Sequence, residues 1–241
     1  MSEDCGRWAV YFAPAPGSPL ARFGAEWLGR DAASGDPATQ PVLAAIDAER
    51  LRAITAEPRR YGFHATLKPP FVLAAGYAAA ALDAAVAALA CGEAPFTAPP
   101  LRLSCLSGFW ALTLSAPCPP LHALAERCVG ALDRFRAPAG DTELARRRRA
   151  GLTPRQDELL TRWGYPYVMD EFRFHMTLTA RLDASEAAVV APALEPLAAP
   201  LCREPLAIDA LSLFHQPRRD APFRLLRRYP LSQSGYRHAR T

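Results

Sequence analysis

The sequence has few of the features that mark several common classes of protein. Its six cysteines form no CxxC pair and have no histidine at the spacing of a zinc finger. We therefore expect them to be small core residues in a reducing compartment. The first residues are acidic where a signal peptide is basic, and no apolar run is long enough to cross a membrane. A cytoplasmic protein with no membrane partner is expected.

Lysine is almost absent. The 28 basic residues include a single lysine, Lys68, so the net charge of +4 is carried by guanidinium groups, which suit forked contacts with phosphate or carboxylate. A codon bias towards arginine explains most of this. The charge is mild and no stripe of alternating basic and aromatic residues is present, so long RNA is not the first ligand to expect. At 50% hydrophobic and 22% charged residues, the chain is long enough for one large core or two lobes around a cleft.

The spacing of apolar residues predicts a chain that alternates between strands and helices. The predicted strands cover 7–14, 60–68, 101–106, 109–115, 170–182, 206–214 and 223–229. The predicted helices cover 18–30, 41–55, 77–90, 119–135, 153–163 and 185–198, and Pro192 can kink or restart the last one. Residues 137–152, with the run Arg146 to Arg149, are interpreted as a charged connection whose role stays open, either a nucleic-acid contact, a mobile cover or a solvated face.

Two of the predicted strands carry the same short pattern, His-x-Thr-Leu. In RYGFHATLKPPF, side chains two residues apart share one face, which predicts His64, Thr66 and Lys68 in one row. In DEFRFHMTLTARL the corresponding row holds Arg173, His175, Thr177 and Thr179. In both strands the other face is apolar, as expected of a strand whose back packs on a core.

The order of elements after each pattern is also the same, namely a helix and then two strands. This indicates an internal duplication. We therefore predict one domain over 1–241 with two similar lobes, one centred on 60–115 and the other on 170–230, whose polar strand faces meet across a shared groove.

Two histidines that face each other suit a reaction that needs a base and an acid at the same pH. A phosphodiester is the natural substrate: one imidazole takes a proton from the attacking hydroxyl or water, and the other protonates the departing oxygen. Thr66 and Thr177 can donate to the non-bridging phosphoryl oxygens, and Lys68, Arg173 or Arg60 can add positive charge. The motif offers no set of carboxylates for a magnesium site, so we expect no metal and no other cofactor.

HATL and HMTL resemble the paired signature of the two-histidine (2H) phosphoesterase superfamily, which includes RNA-ligase-like proteins and cyclic phosphodiesterases. The longer strings RYGFHATLKPPF and GYPYVMDEFRFHMTLT resemble a branch associated with phosphonate-utilisation operons. The resemblance implies an α+β, bilobal and pseudo-symmetric fold, with two antiparallel sheets lining a central cleft and helices outside. It also implies a metal-independent hydrolase for a small cyclic phosphate, such as a cyclic phosphate of ribose, with His64 and His175 as catalytic residues and Thr66 and Thr177 as phosphate ligands.

Other readings stay open. Tyr61, and Tyr165 or Tyr167, can stack on a base or sugar, although packing is the commoner role of such aromatics. The chain can instead open a 2′,3′-cyclic phosphate at a short RNA end or run the ligation direction, or it can bind a phosphorylated metabolite without turnover. The sequence favours a monomer without deciding it, and leaves open which histidine is the base and which ring bond opens.

Overall fold

The computed structural model describes residues 6–149 and 151–232. These residues form nine strands: β1 (Arg7–Phe12), β2 (Ala65–Phe71), β3 (Phe96–Ala98), β4 (Leu101–Leu106), β5 (Phe109–Leu114), β6 (His175–Thr177), β7 (Leu206–Ile208), β8 (Ala210–Gln216) and β9 (Arg224–Pro230). The same part of the chain contains eight α-helices: α1 (Pro19–Leu28), α2 (Ala48–Ile54), α3 (Ala56–Tyr61), α4 (Ala79–Cys91), α5 (Pro119–Ala131), α6 (Asp141–Arg148), α7 (Pro154–Trp163) and α8 (Ala184–Ala198).

Seven of these strands form one antiparallel sheet in the order β4-β5-β6-β2-β1-β8-β9, and β3 and β7 form a separate antiparallel pair. The fold is thus α+β with two antiparallel sheets and helices around them, as predicted. The two histidine strands are direct neighbours in the larger sheet, where Ala65 of β2 pairs with Met176 of β6.

The sheet does not divide where the two sequence repeats divide. The β4–β5 hairpin follows β2 in the chain but pairs with β6, whereas the β8–β9 hairpin follows β6 but joins the sheet through β1, beside β2. In the predicted lobes over 60–115 and 170–230, the hairpin of each lobe therefore lies on the side of the sheet that holds the histidine strand of the other. We call this arrangement the exchange of hairpins. The order helix, short strand and hairpin follows both β2 and β6, and β2 pairs with β6 as β3 pairs with β7, an arrangement with local two-fold symmetry.

The main core lies against one face of the large sheet. Val10, Phe12, Leu67, Leu112 and Met176 project from its strands and are at most 2% exposed. They join a cluster with apolar residues of α4, α5 and α8. Burial of this face fixes the register of each strand, because a slip of one residue would turn every apolar side chain to the opposite face. The opposite face of β1, β2 and β6 is left to form the cleft.

Several predicted elements differ from the structure in extent. The helix predicted over 41–55 begins only after Asp47, whose side chain accepts a hydrogen bond from the Arg50 amide and caps α2. The strand predicted over 170–182 keeps its alternation of burial, but only His175–Thr177 is paired as a regular strand. The connection predicted over 137–152 contains α6, and the strand predicted over 206–214 divides into β7 and the start of β8.

The strand predicted to end at residue 68 is longer than that. It continues through Pro69 and Pro70 to Phe71. Pairing with β1 runs from Lys68↔Val10 to Phe71↔Trp8 with a register shift between them, and β6 pairs only at Ala65. Pro69 and Pro70 therefore lie where the ladder is irregular, at a position that tolerates a missing amide donor.

The cysteines are only partly the core residues that were predicted. Cys118 and Cys128 are buried and Cys202 is half-buried, but Cys91 and Cys105 are exposed. Cys5 lies outside the described residues. Within 6–149 and 151–232, no helix is both long enough and apolar enough to span a membrane.

Candidate active site

The two His-x-Thr patterns form a square of four side chains on the open face of the sheet. Ala65 and Met176 pair in antiparallel register and point to the core, where both are fully buried. Their flanking residues therefore point to the other face, with His64 beside Thr177 and Thr66 beside His175. The two histidines occupy diagonal corners, which in a sheet are about 7–8 Å apart.

Both imidazoles are held in the same way by the backbone. Nδ1 of His64 lies 2.9 Å from the Gly62 carbonyl oxygen, and Nδ1 of His175 lies 2.7 Å from the Arg173 carbonyl oxygen. A carbonyl oxygen only accepts, so Nδ1 carries the proton and Nε2 of a neutral ring is an acceptor. Nε2 of His64 lies 3.3 Å from the Thr66 hydroxyl. Each histidine thus presents Nε2 for proton transfer.

Gly62 has a backbone conformation that suits glycine. Its φ of 80° is in the region that side chains rarely adopt, and a Cβ there would meet Ala32 Cβ at 2.4 Å. The residue ends α3 and directs its carbonyl to His64. On the other side of the ring, Tyr11 stacks against His64 with ring centroids 3.8 Å apart. His64 is thereby fixed between backbone and aromatic ring.

Burial lowers the pKa of both histidines. The pKa of His64 falls to about 4 because the ring is desolvated; the Gly62 carbonyl opposes the shift and the nearby charge of His175 adds to it. Burial also lowers the pKa of His175, against the effect of the Arg173 carbonyl. Both rings are therefore neutral in the free cleft at neutral pH.

A cleft of about 780 Å³ opens over this square. Its wall contains His64, Thr66, His175 and Thr177, so the structure brings the four predicted residues together. Tyr61 lines it as well, with its ring centroid 6.3 Å from that of His64. The wall also contains Tyr165, one of the tyrosines considered for stacking, and Arg146 and Arg147 from the run whose role was left open. The residues of the wall that the sequence analysis did not assign to the site are chiefly Arg7, Tyr11, Glu57, Phe109 and Arg181.

Arg7 and Tyr11 were missed because β1 was interpreted only as an apolar strand. They lie four residues apart, so they share a face of β1, while Trp8, Val10 and Phe12 face the core. Nε of Arg7 donates to Gln216 Oε1 at 2.7 Å. The signal available in the sequence was the pair Arg7 and Tyr11, which lie four positions apart in an otherwise apolar strand.

Lys68 does not lie in the cleft, and the prediction that it does is wrong. Its side chain is buried on the core side of β2, where Nζ donates to the Val129 carbonyl at 3.0 Å and lies 3.4 Å from Asp133 Oδ1. The register shift between Val10 and Tyr11 on the pairing strand breaks the two-residue alternation between Thr66 and Lys68. Burial lowers the pKa of Lys68 to about 8, and Asp133 opposes that shift.

Arg173 also differs from its predicted place. The residue is exposed and is not among the residues that line the cleft; the group it supplies is its carbonyl oxygen, which orients His175. Arginine reaches the cleft from α6 instead. Within 6–149 and 151–232, no group of three or more histidine, cysteine and acidic side chains is arranged to hold a metal ion.

A family model described as "Protein of unknown function (DUF1045)" matches residues 66–224, about two thirds of the sequence. The chain belongs to the DUF1045 family. The matched region includes Thr66, His175 and Thr177, and it begins two residues after His64.

Two curated relatives of this DUF1045 chain are each named "Ribose 1,5-bisphosphate phosphokinase PhnN". The protein from Janthinobacterium sp. (strain Marseille) is 42% identical over 240 residues, covering 98% of this chain and 53% of that protein. The protein from Laribacter hongkongensis (strain HLHK9) is 38% identical over 237 residues, covering 98% and 54%. The chain spans about half the length of these relatives. A solved structure described as "Crystal structure of phosphoesterase" aligns over 95% of this chain and 99% of its own at 17% identity. Its TM-score of 0.39 is too low to show a common fold.

Proposed function

We propose that this protein is a phosphoesterase of the two-histidine kind that hydrolyses a small cyclic phosphodiester without a metal. The observation that carries the proposal is the square of His64, Thr66, His175 and Thr177, whose residues all line one cleft and in which both Nδ1 atoms lie within hydrogen-bond distance of backbone carbonyls, so that Nε2 is the ring atom left for proton transfer. A base and an acid on opposite sides of one phosphorus suit in-line displacement, since one proton must leave as another arrives.

In the proposed reaction, a water oxygen attacks phosphorus while its proton passes to Nε2 of His64. The bond between phosphorus and one ring oxygen breaks, and that oxygen takes the proton from Nε2 of His175, which gives a phosphate monoester and a free hydroxyl. His64 ends protonated and His175 neutral, and exchange with solvent resets them. The Thr66 and Thr177 hydroxyls donate to the non-bridging oxygens, where negative charge increases in the transition state.

The negative charge of the substrate would favour the protonated form of the histidine that acts as the acid. A bound phosphodiester anion favours protonation of the nearby imidazoles and so opposes the effect of burial. Burial lowers the pKa of His64 to about 4 and its ring is stacked on Tyr11, so we expect the proton to be held by His175 and His64 to serve as the base.

The relatives suggest the kind of substrate. Their printed name refers to ribose 1,5-bisphosphate, and a sugar phosphate of that size suits a cleft of about 780 Å³. The kinase activity in the name belongs to proteins about twice as long. In this chain the sole lysine, Lys68, lies between Leu67 and Pro69, whereas a P-loop needs a glycine before the lysine and a serine or threonine after it. We therefore assign phosphoester hydrolysis, on a cyclic phosphate of ribose, to this chain.

The test is turnover of ribose cyclic phosphates, cyclic mononucleotides and oligonucleotides with a cyclic end, all with EDTA present. We expect hydrolysis of the small substrates, and a loss of kcat of about 10²- to 10⁴-fold in His64→Ala and in His175→Ala, because each removes one proton-transfer group. His122→Ala is the matched control, since His122 packs against Phe172 outside the cleft.

Full activity after either cleft substitution would end the proposal. Turnover of oligonucleotides alone would reassign the substrate to RNA ends. Tight binding of cyclic phosphates with no turnover would indicate a binding module instead of an enzyme.

A further inference from the structure

The cleft contains more positive charge than one cyclic phosphodiester needs. Arg7, Arg146, Arg147 and Arg181 line it, against one lining carboxylate, that of Glu57. A cyclic phosphodiester has a single negative charge. The excess of guanidinium groups points to a ligand with a further anionic group.

Two buried donors at this cleft have no acceptor among the described residues. Of the four buried side-chain polar atoms in the described part of the chain that lack a hydrogen-bond partner, two belong to residues of the cleft wall, namely the Tyr11 hydroxyl and Nε of Arg147. A buried donor without a partner is costly, and a bound oxyanion would satisfy it. Arg147 Nη2 donates to Glu143 at 3.0 Å, which holds the guanidinium while Nε stays unpaired.

Arg7 and Arg147 are both held in position by neighbouring side chains. Gln216 accepts from Nε of Arg7, whose guanidinium carbon lies 5.3 Å from the Phe223 ring centroid. The guanidinium carbon of Arg147 lies 4.9 Å from the Tyr165 ring centroid. Neither guanidinium is free to relax far, so each retains donors for a ligand and loses little side-chain entropy on binding.

Two tyrosines of the cleft wall lie beside His64 of the catalytic square. The ring centroid of Tyr11 is 3.8 Å from that of His64, and the ring centroid of Tyr61 is 6.3 Å from it. An anion at the Tyr11 hydroxyl would therefore lie in the same cleft as a phosphorus at His64, so that one ligand can carry both groups.

We propose that Arg7, Arg147 and the Tyr11 hydroxyl form a second anion site, which binds a phosphate monoester on the same sugar that carries the cyclic phosphodiester. The inference rests on the proposed function and narrows its substrate to sugars with two phosphorus groups. The pairing of a planar guanidinium with phosphate oxygens supplies the recognition.

The test compares adenosine 2′,3′-cyclic phosphate with the same compound bearing a 5′-phosphate. Wild-type protein should favour the 5′-phosphorylated substrate in kcat/KM by about 10- to 100-fold, the range expected when a charged hydrogen bond is lost. Arg147→Gln and Arg7→Gln should lose this preference, whereas Arg149→Gln should retain it. Arg149→Gln is the matched control, because it removes the same charge from the same arginine run outside the cleft wall.

Equal kcat/KM for the two compounds in wild-type protein, or a preference that survives Arg147→Gln, would overturn the second site while leaving the hydrolase proposal in place. If no cyclic phosphate is hydrolysed, the hydrolase proposal fails, and calorimetric binding of ribose 5-phosphate judges the site by itself. Binding that is lost in Arg147→Gln and retained in Arg149→Gln would support it. Binding that is absent in wild-type protein, or equal in all three proteins, would contradict it. If Arg7→Gln does not fold, Arg147→Gln decides.

Discussion

At the scale of single residues, the site depends on which side of the sheet each side chain faces. His64 and Thr66 face the cleft, whereas Lys68, two positions further, is buried against α5 with Asp133. A single register irregularity between them separates a candidate catalytic residue from a structural one.

This placement makes Lys68→Met a direct test of the corrected assignment. Methionine has a similar length and can occupy the buried position, and Asp133 keeps its two hydrogen bonds to Arg136, at 2.8 and 3.0 Å. We expect kcat/KM on a cyclic phosphate to stay within about twofold of wild type, because Lys68 lies outside the cleft wall and methionine is close to it in volume. Steady-state kinetics on protein shown to be folded measures this. A loss of a hundredfold or more with native folding would return Lys68 to the list of phosphate ligands.

His64 also gives the folded state a characteristic dependence on pH. Its pKa is about 4 in the folded protein and near 6.5 when exposed, so the unfolded chain binds more protons between these values. The contribution of the neutral His64 ring to the free energy of unfolding is complete above pH 6.5 and is lost as the pH falls towards 4. In His64→Gln the free energy of unfolding should therefore decline less steeply across this window than in wild type.

Urea denaturation at several pH values measures the two slopes, and other titrating groups cancel in their difference. Thr66→Val is the control, since it alters the same strand without removing an imidazole and should keep the wild-type slope. Identical slopes for His64→Gln and wild type would show that the His64 ring is solvated in the folded protein.

At the scale of elements, regular patterns in the sequence predicted strands and helices well, whereas irregular positions of the backbone could not be predicted. The alternation from Phe172 to Leu178 located the second half of the site, because burial on a sheet follows a period of two even where backbone pairing is brief. Ser18 followed by Pro19 correctly gave the start of α1, since the Ser18 side chain accepts from the Ala21 amide.

The sequence could not predict the features that depend on a partner strand. The register shift beside Lys68 arises from pairing with β1, and the residue types at positions 68–70 do not predict it. The charged run before Arg149 gave no apolar periodicity from which to infer α6, although Arg147 of that helix reaches the cleft. The position of Arg7 depends on a contact with Gln216, 209 residues away in the sequence.

At the scale of the whole molecule, the exchange of hairpins couples the two halves of the chain. β6 stands between β5 and β2, so without it the first half has two separate pieces of sheet. In the same way, β1 and β2 stand between β6 and β8. Trp27 adds a further link, because its indole Nε1 donates to the Leu178 carbonyl at 2.9 Å. Neither half contains a continuous sheet of its own.

Cleavage between α6 and α7 therefore should not separate the protein into two lobes. A specific protease site placed there should give two fragments that co-elute under native conditions and part only in denaturant, because the β5–β6 and β1–β8 pairings cross the cut. Each fragment alone should lack a cooperative unfolding transition by circular dichroism, since its strands lack their partners. His64 and His175 lie on different fragments, so hydrolysis, if the proposal is right, should be absent from each and return on mixing. Fragments that part without denaturant, each with its own cooperative transition, would instead indicate two lobes that fold separately along the chain.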